Sequence, residues 1–317
     1  MNDQIFIALS TFAVDDKRPL QMLEASGFPF KIHTTGKRIS KEELIRDGID
    51  AAVIVGGVEP YDQEVISALS GLRCISRCGV GVDAIDLAFA KEKKITVANT
   101  PLVPVQAVAE LALTLFLALS RNIKPQANLM QAKRWERLPA HLLSGRTVGL
   151  IGFGRIGQKV AQLCNAFGAN VLVFDPYADK TKEQQLTVSM VSREQLLAES
   201  DIISLHASKD KNQPVLIGKT ELDQMKQGAV LVNLARGEMV DEPALIAALQ
   251  SGKLAGAGLD VFGQEPYNGP LCDFDQVILT PHCATLTLET RSEMEIQCVE
   301  NAIDFLNGKL RSDRHVI

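Results

Sequence analysis

The sequence predicts an α/β chain of about two domains built on parallel sheets, and three observations carry that reading. Short apolar strands alternate with amphipathic helices nearly throughout its 317 residues, the pattern of a parallel sheet wrapped by helices. A strand, a tight glycine turn and a helix start are written into TVGLIGFGRIG at 147–157. Two prolines in NTPLVP at 99–104 mark a crossing between domains.

Taken in order, the first strand is 4–9. The segment around it, MNDQIFIALSTF, has no basic leader and carries Asp3, so it reads as a strand and not as a signal peptide. Strands at 51–55, 72–76 and 96–98 follow, with helices around 19–25, 41–46 and 62–69. Ser40 can cap the second of these helices, with Glu43 as its capping-box partner. A long helix at 105–121 follows the crossing. Six strands then complete the second domain: the glycine-motif strand, 171–174, 202–205, 229–233, 256–260 and 277–279. That is the size of a full dinucleotide fold. The last helix, 286–306, lies beyond this set and is placed back on the first domain, which makes that domain discontinuous. The division is therefore 1–99 plus 286–317, and 100–285.

The glycine motif has a physical logic. Gly152 permits a turn with positive φ, Gly154 lets the backbone approach a pyrophosphate, and Gly157 lets the new helix pack closely. A helix starting at Arg155 or Ile156 points free N–H groups at phosphates. The following strand, in VLVFDPY at 171–177, ends on Asp175, placed to bond the adenosine ribose hydroxyls. This carboxylate would repel a 2′-phosphate, and Pro176 and Tyr177 offer no cation to hold one. NAD is therefore favoured over NADP. The bland alternative is a glycine-rich turn without a ligand.

Composition narrows the class. A net charge of −5 argues against nonspecific nucleic-acid binding. The longest apolar stretch, 103–119, is broken by Gln106 and Glu110 and is short for a membrane span. Cys74 and Cys78 lie along one strand, about 13 Å apart, too far for a disulfide. The other four cysteines show no CxxC spacing, so free thiols in a reducing cytoplasm are the simplest reading.

Three charged residues follow predicted strands of the second domain. Arg236 follows VLVNLA, Glu265 lies in DVFGQEP, and His282 follows VILTP. In open parallel sheets ligands bind beyond the carboxyl ends of the strands. A histidine suits proton transfer to and from a hydroxyl near neutral pH. A carboxylate beside it stabilises the imidazolium, and an arginine can hold an acid substrate through two parallel bonds. Taken singly, each has a plainer reading: a satisfied polar histidine, a surface ion pair, a solvated turn. His33, His141 and His315 lack such a setting.

Along nearly its whole length the chain resembles the D-isomer-specific 2-hydroxyacid dehydrogenases, in their phosphoglycerate dehydrogenase-like branch. The resemblance rests on RCGVGVDAID at 77–86, AVAELALTLFLALSR at 107–121, GRTVGLIGFGRIG at 145–157, DPY at 175–177, DIISLHA at 201–207, LVNLARGEMVDEPAL at 231–245, GAGLDVFGQEP at 256–266 and LTPH at 279–282. It implies two Rossmann-like, doubly wound domains with the active site in the cleft between them. It implies Arg236 as the substrate anchor, His282 as acid/base and Glu265 as its partner. The pyrophosphate falls to Gly152, Gly154, Arg155, Ile156 and Gly157, and the ribose to Asp175. His206, Ala207 and Ala235 line the cofactor, Asp260 meets the nicotinamide carboxamide, and Val80 and Gly81 meet the substrate carboxylate. A homodimer through the cofactor domains, involving 107–121, is implied as well. Departures are CATLT after His282, where the family carries small residues, and the loop VGGVEPY at 55–61, which offers no arginine for a phosphate. The absence of the long enzymes' regulatory domain implies no serine feedback through it. The expected activity is hydride transfer between NAD(H) and C2 of a small 2-hydroxy or 2-keto acid. D-3-phosphoglycerate leads, with hydroxypyruvate or glyoxylate and then D-lactate as rivals. A transcriptional corepressor that senses NAD is the alternative from another class.

Overall fold

The computed structural model describes residues 3–33, 35–179, 181–208 and 215–317. Contacts divide the chain into Met1–Pro104 with Leu286–Ile317, and Val105–Thr285.

Among the described residues the first unit carries five strands: β1 (Gln4–Ile7), β2 (Phe30–Ile32), β3 (Ala51–Gly56), β4 (Cys74–Arg77) and β5 (Thr96–Ala98). All pair in parallel, in the order β2-β1-β3-β4-β5. The order reverses between β1 and β3, a doubly wound arrangement of the 2-1-3-4-5 kind. The side-chain period of two sends Ile5, Ile7, Val53 and Val55 to one face and Phe6 and Ile54 to the other, each fully buried. Both faces therefore need cover, and each such aliphatic side chain contributes roughly 1.5–3 kcal/mol on burial. Part of the cover is the helix Leu288–Leu306, whose Met294, Cys298, Val299 and Ala302 join the Ile5–Val53 cluster. Ser76 Oγ donates to the Cys298 carbonyl at 2.9 Å. The Glu295 carboxylate accepts from Ala13 N at 2.8 Å and from Arg291 Nε at 2.7 Å. Ser40 and Glu43 form a reciprocal capping box at the helix Lys41–Gly48. Contacts keep 100–104 with this unit and not with the second: Thr100 N donates to Gly79 O at 3.1 Å, and Gly79 N donates to Thr100 Oγ1 at 2.9 Å.

Among the described residues the second unit carries seven parallel strands, not six: β6 (Thr147–Ile151), β7 (Asn170–Phe174), β8 (Ser189–Met190), β9 (Ile202–Leu205), β10 (Ala229–Asn233), β11 (Leu254–Leu259) and β12 (Val277–Leu279). Their order is β12-β11-β10-β9-β6-β7-β8, and it reverses between β6 and β9. The extra edge strand β8 pairs only Ser189 and Met190 with β7, too short to show a period. Val230 and Val232 enter the core on one face, Ala229 and Leu231 the core on the other. The helices Pro104–Ser120 and Ile123–Gln131 meet at a 61° bend, and no single helix among the described residues is long and apolar enough to cross a membrane. No group of metal-ligating side chains occurs among the described residues, and the six cysteines are free thiols.

Candidate active site

Because every strand of the second sheet runs the same way, the loops after β6, β9, β10, β11 and β12 all leave by one edge. The glycine turn after β6 stands where the strand order reverses. Gly152 has φ +98, and a Cβ there would lie 2.5 Å from Ala207 N. The turn after β6 and the His206–Ala207 backbone after β9 thus pass each other too closely for any side chain. At Gly157 a Cβ would collide with the Gly152 carbonyl, so the helix Arg155–Ala166 is pressed onto the turn. Gly154 differs: nothing lies within 4 Å of where its Cβ would be. It stands at the helix N-terminus, which no side chain caps. An open cradle of backbone N–H groups at the positive end of a helix is the chemistry a pyrophosphate requires. Asp175 lies beside it, its carboxylate accepting from Phe153 N at 2.7 Å and Tyr177 N at 2.8 Å. With about four acceptor positions on a carboxylate, it can fasten the turn and still take ribose hydroxyls. His206 meets Ser204 Oγ through Nε2 at 2.9 Å, and desolvation pushes its pKa down to about 4, so its ring is neutral near pH 7.

Glu265 and His282 come together directly. Glu265 lies in the loop after β11, and its Oε1 accepts from Phe262 N at 3.1 Å. Its Oε2 is 2.9 Å from His282 Nδ1. An ionised carboxylate only accepts, so Nδ1 carries the proton. In the neutral ring Nε2 is then the basic nitrogen, and it has no hydrogen-bond partner among the described residues. His282 has φ +51, and its N–H turns back to Thr280 O at 2.9 Å.

Arg236 stands on the neighbouring loop, after β10. Asn233, 1% exposed, shapes that loop from both ends of its amide: Nδ2 donates to Arg236 O at 2.8 Å, and Oδ1 accepts from Ala235 N at 3.0 Å. The arginine's Nη1 donates to Ala235 O at 2.7 Å. Gly237, next in line, abuts the backbone of Phe262 and Gly263, which joins the arginine loop to the Glu265 loop. Asp260 is also 1% exposed. Its carboxylate accepts from Thr280 Oγ1 at 2.6 Å, Cys283 N at 2.8 Å and Ala284 N at 2.9 Å. Most of its capacity is therefore committed to the His282 loop, with about one acceptor position left for a carboxamide. In the first unit, Val80 and Gly81 follow β4, and Asn99 Nδ2 fixes this loop by donating to Val80 O at 2.9 Å.

Asn233 and Thr280 escaped the sequence reading. A buried asparagine or a half-buried threonine at the end of an apolar run leaves no mark on hydrophobic periodicity.

Residues 113–284 match the model of the D-isomer specific 2-hydroxyacid dehydrogenase, NAD binding domain. The chain belongs to this family. Among its relatives, a D-3-phosphoglycerate dehydrogenase of Archaeoglobus fulgidus is 39% identical over 85% of this chain and 52% of its own length. A glyoxylate reductase of Korarchaeum cryptofilum is 38% identical over 86% of this chain and 84% of its own. Among solved structures, a D-lactate dehydrogenase of Aquifex aeolicus, complexed with NAD and lactic acid, superposes with a TM-score of 0.87. It is 29% identical, with 99% of each chain covered. The chain thus spans about half the length of the D-3-phosphoglycerate dehydrogenases it matches. The stretch that matches the NAD-binding domain lies wholly within the second unit, and the glycine turn described above lies within that stretch.

Proposed function

We propose that this chain is an NAD-dependent dehydrogenase of D-2-hydroxy acids, and that D-3-phosphoglycerate is its leading substrate. Glyoxylate or hydroxypyruvate follows, and D-lactate stands behind them. The observation that carries the reading is the Glu265–His282 pair, 2.9 Å apart at the sheet edge that bears the glycine cradle. NAD(H), when bound, supplies or accepts the hydride at C2 of the acid. His282 Nε2 takes the hydroxyl proton in oxidation and returns it to the keto oxygen in reduction. Glu265 keeps the proton on Nδ1, fixes the tautomer and stabilises the imidazolium. Arg236 holds the substrate carboxylate with its planar fork, which a lysine would not reproduce. Asp175 selects NAD by repelling a 2′-phosphate. The partner is a second copy of this chain. Ile123, Met130, Trp135 and Leu142 expose apolar side chains on consecutive segments of the second unit, Trp135 to 82%, and apolar surface of this kind fits a homodimer.

The test is oxidation of NADH with 3-phosphohydroxypyruvate, hydroxypyruvate, glyoxylate and pyruvate. A clear preference for the phosphorylated acid is expected. Preference for hydroxypyruvate or glyoxylate would make the chain a reductase of small acids. Silence across the panel would favour a corepressor or a bulkier acid outside the panel.

A further inference from the structure

The side chains of Asp260 and Thr280 together grip the loop carrying His282 from both flanks. The parallel ladder runs one step past β11 and β12: Asp260 N donates to Asn233 O and Thr280 N to Leu259 O, both at 3.0 Å. This extension sets Asp260 and Thr280 side by side just beyond the sheet. The Asp260 carboxylate then binds the Thr280 hydroxyl at 2.6 Å, two residues before His282, and the N–H groups of Cys283 and Ala284, at 2.8 and 2.9 Å, after it. The Thr280 carbonyl also receives the His282 N–H at 2.9 Å. Threonine 280 is therefore the one residue that ties the buried carboxylate to the near side of the turn with its side chain and closes the turn with its backbone. Without the turn, a histidine at φ +51 would relax toward the ordinary basin, and its ring would leave Glu265.

We propose that Thr280 is a positioning residue: its hydroxyl, through Asp260, holds the His282 turn in the conformation that sets Nδ1 against Glu265 and aims Nε2 outward. The proposal rests on the dehydrogenase reading for its kinetic consequence and on geometry alone for its structural one. A hydroxyl that positions without touching substrate should affect turnover and spare binding. Misplacing a reacting group by about 1 Å can cost roughly 100-fold in rate.

The experiment compares the full-length wild type with Thr280→Val and Thr280→Ser. Thr280→Val keeps the shape and removes the donor. It should lower kcat by roughly 10- to 100-fold, with KM for the preferred keto acid and Kd for NADH within about twofold. Thr280→Ser, which restores the hydroxyl, should recover most of kcat. The second readout needs no substrate. With only five histidines in the chain, nitrogen-15 labelling of histidine allows the His282 ring nitrogens to be followed by NMR. The Nδ1 signal of a proton donor to carboxylate should be present in wild type and Thr280→Ser and displaced in Thr280→Val. Unchanged kcat in Thr280→Val overturns the proposal, as does a serine variant as slow as valine, a parallel loss of NADH affinity, or an unmoved ring signal. If wild type turns over none of the acids, the substrate assignment under the proposed function fails, and the ring signals still decide whether Thr280 holds the turn.

Discussion

At the scale of a residue, His282 is held against its own preference. A left-handed backbone at a non-glycine residue costs roughly 1–3 kcal/mol, and His282 has φ +51. The cost is met locally by four hydrogen bonds, three to Asp260 and one from its own N–H to Thr280. What the strain gives in return is direction: Nδ1 is turned to Glu265, and Nε2 is left as the one basic nitrogen of the ring. His282→Ala should therefore lower kcat by about 100-fold or more, while fluorescence titration still shows NADH binding near wild-type affinity. Turnover close to wild type would remove His282 from proton transfer. His206 is no substitute, because it follows β9, three strands from β12 in the sheet, and desolvation lowers its pKa to about 4, which makes it a weak base.

At the scale of an element, the strand–turn–helix from β6 to Ala166 makes two glycines answer to different causes. Gly152 has φ +98 and a backbone neighbour 2.5 Å from a would-be Cβ, whereas Gly154 has φ −67 and open space around it. Gly152→Ala should cost roughly 2–4 kcal/mol of stability, read as a lowered Tm. Gly154→Ala should leave Tm within about 2 °C and weaken NADH binding by about tenfold, equivalent to ~1.4 kcal/mol. Equal effects of the two on Tm would contradict this division of labour. The turn was legible in the sequence because its glycines stand at fixed offsets between an apolar strand and a helix. The long strands were legible as well, since Ala229–Asn233 and Ile202–Leu205 are apolar runs of ordinary strand length. Phe30–Ile32 and Ser189–Met190 were not, because they are short edge strands with no fully buried residue to mark them. At the candidate site, the strand-end placement of Arg236, Glu265 and His282 could be read directly. The bonds from Asn233 to the arginine loop and from Thr280 to Asp260 could not, since they depend on which strands become neighbours.

At the scale of the whole molecule, the first unit is closed by a segment that arrives last in the chain. Glu295, 3% exposed, takes Ala13 N and Arg291 Nε within the first unit. Removing the Glu295 carboxylate leaves Ala13 N and the half-buried Arg291 without their acceptor, at about 1–3 kcal/mol. Glu295→Ala should destabilise the first unit by roughly that amount, measured by denaturant unfolding followed with a probe placed in that unit. A midpoint unmoved from wild type would show that the pair does not hold the closure. The discontinuity also sets an order for synthesis. On the ribosome, the strands up to Pro104 emerge early, yet the helix that covers them begins only after Thr285. At about 5–20 residues per second, the apolar face formed by Ile5, Ile7, Val53 and Val55 must wait on the order of 10–40 seconds for its lid. The contiguous second unit can be complete before that. Within this chain the first sheet is thus begun before the second unit and covered after it, and its open apolar face is a surface on which a chaperone would act in the interval.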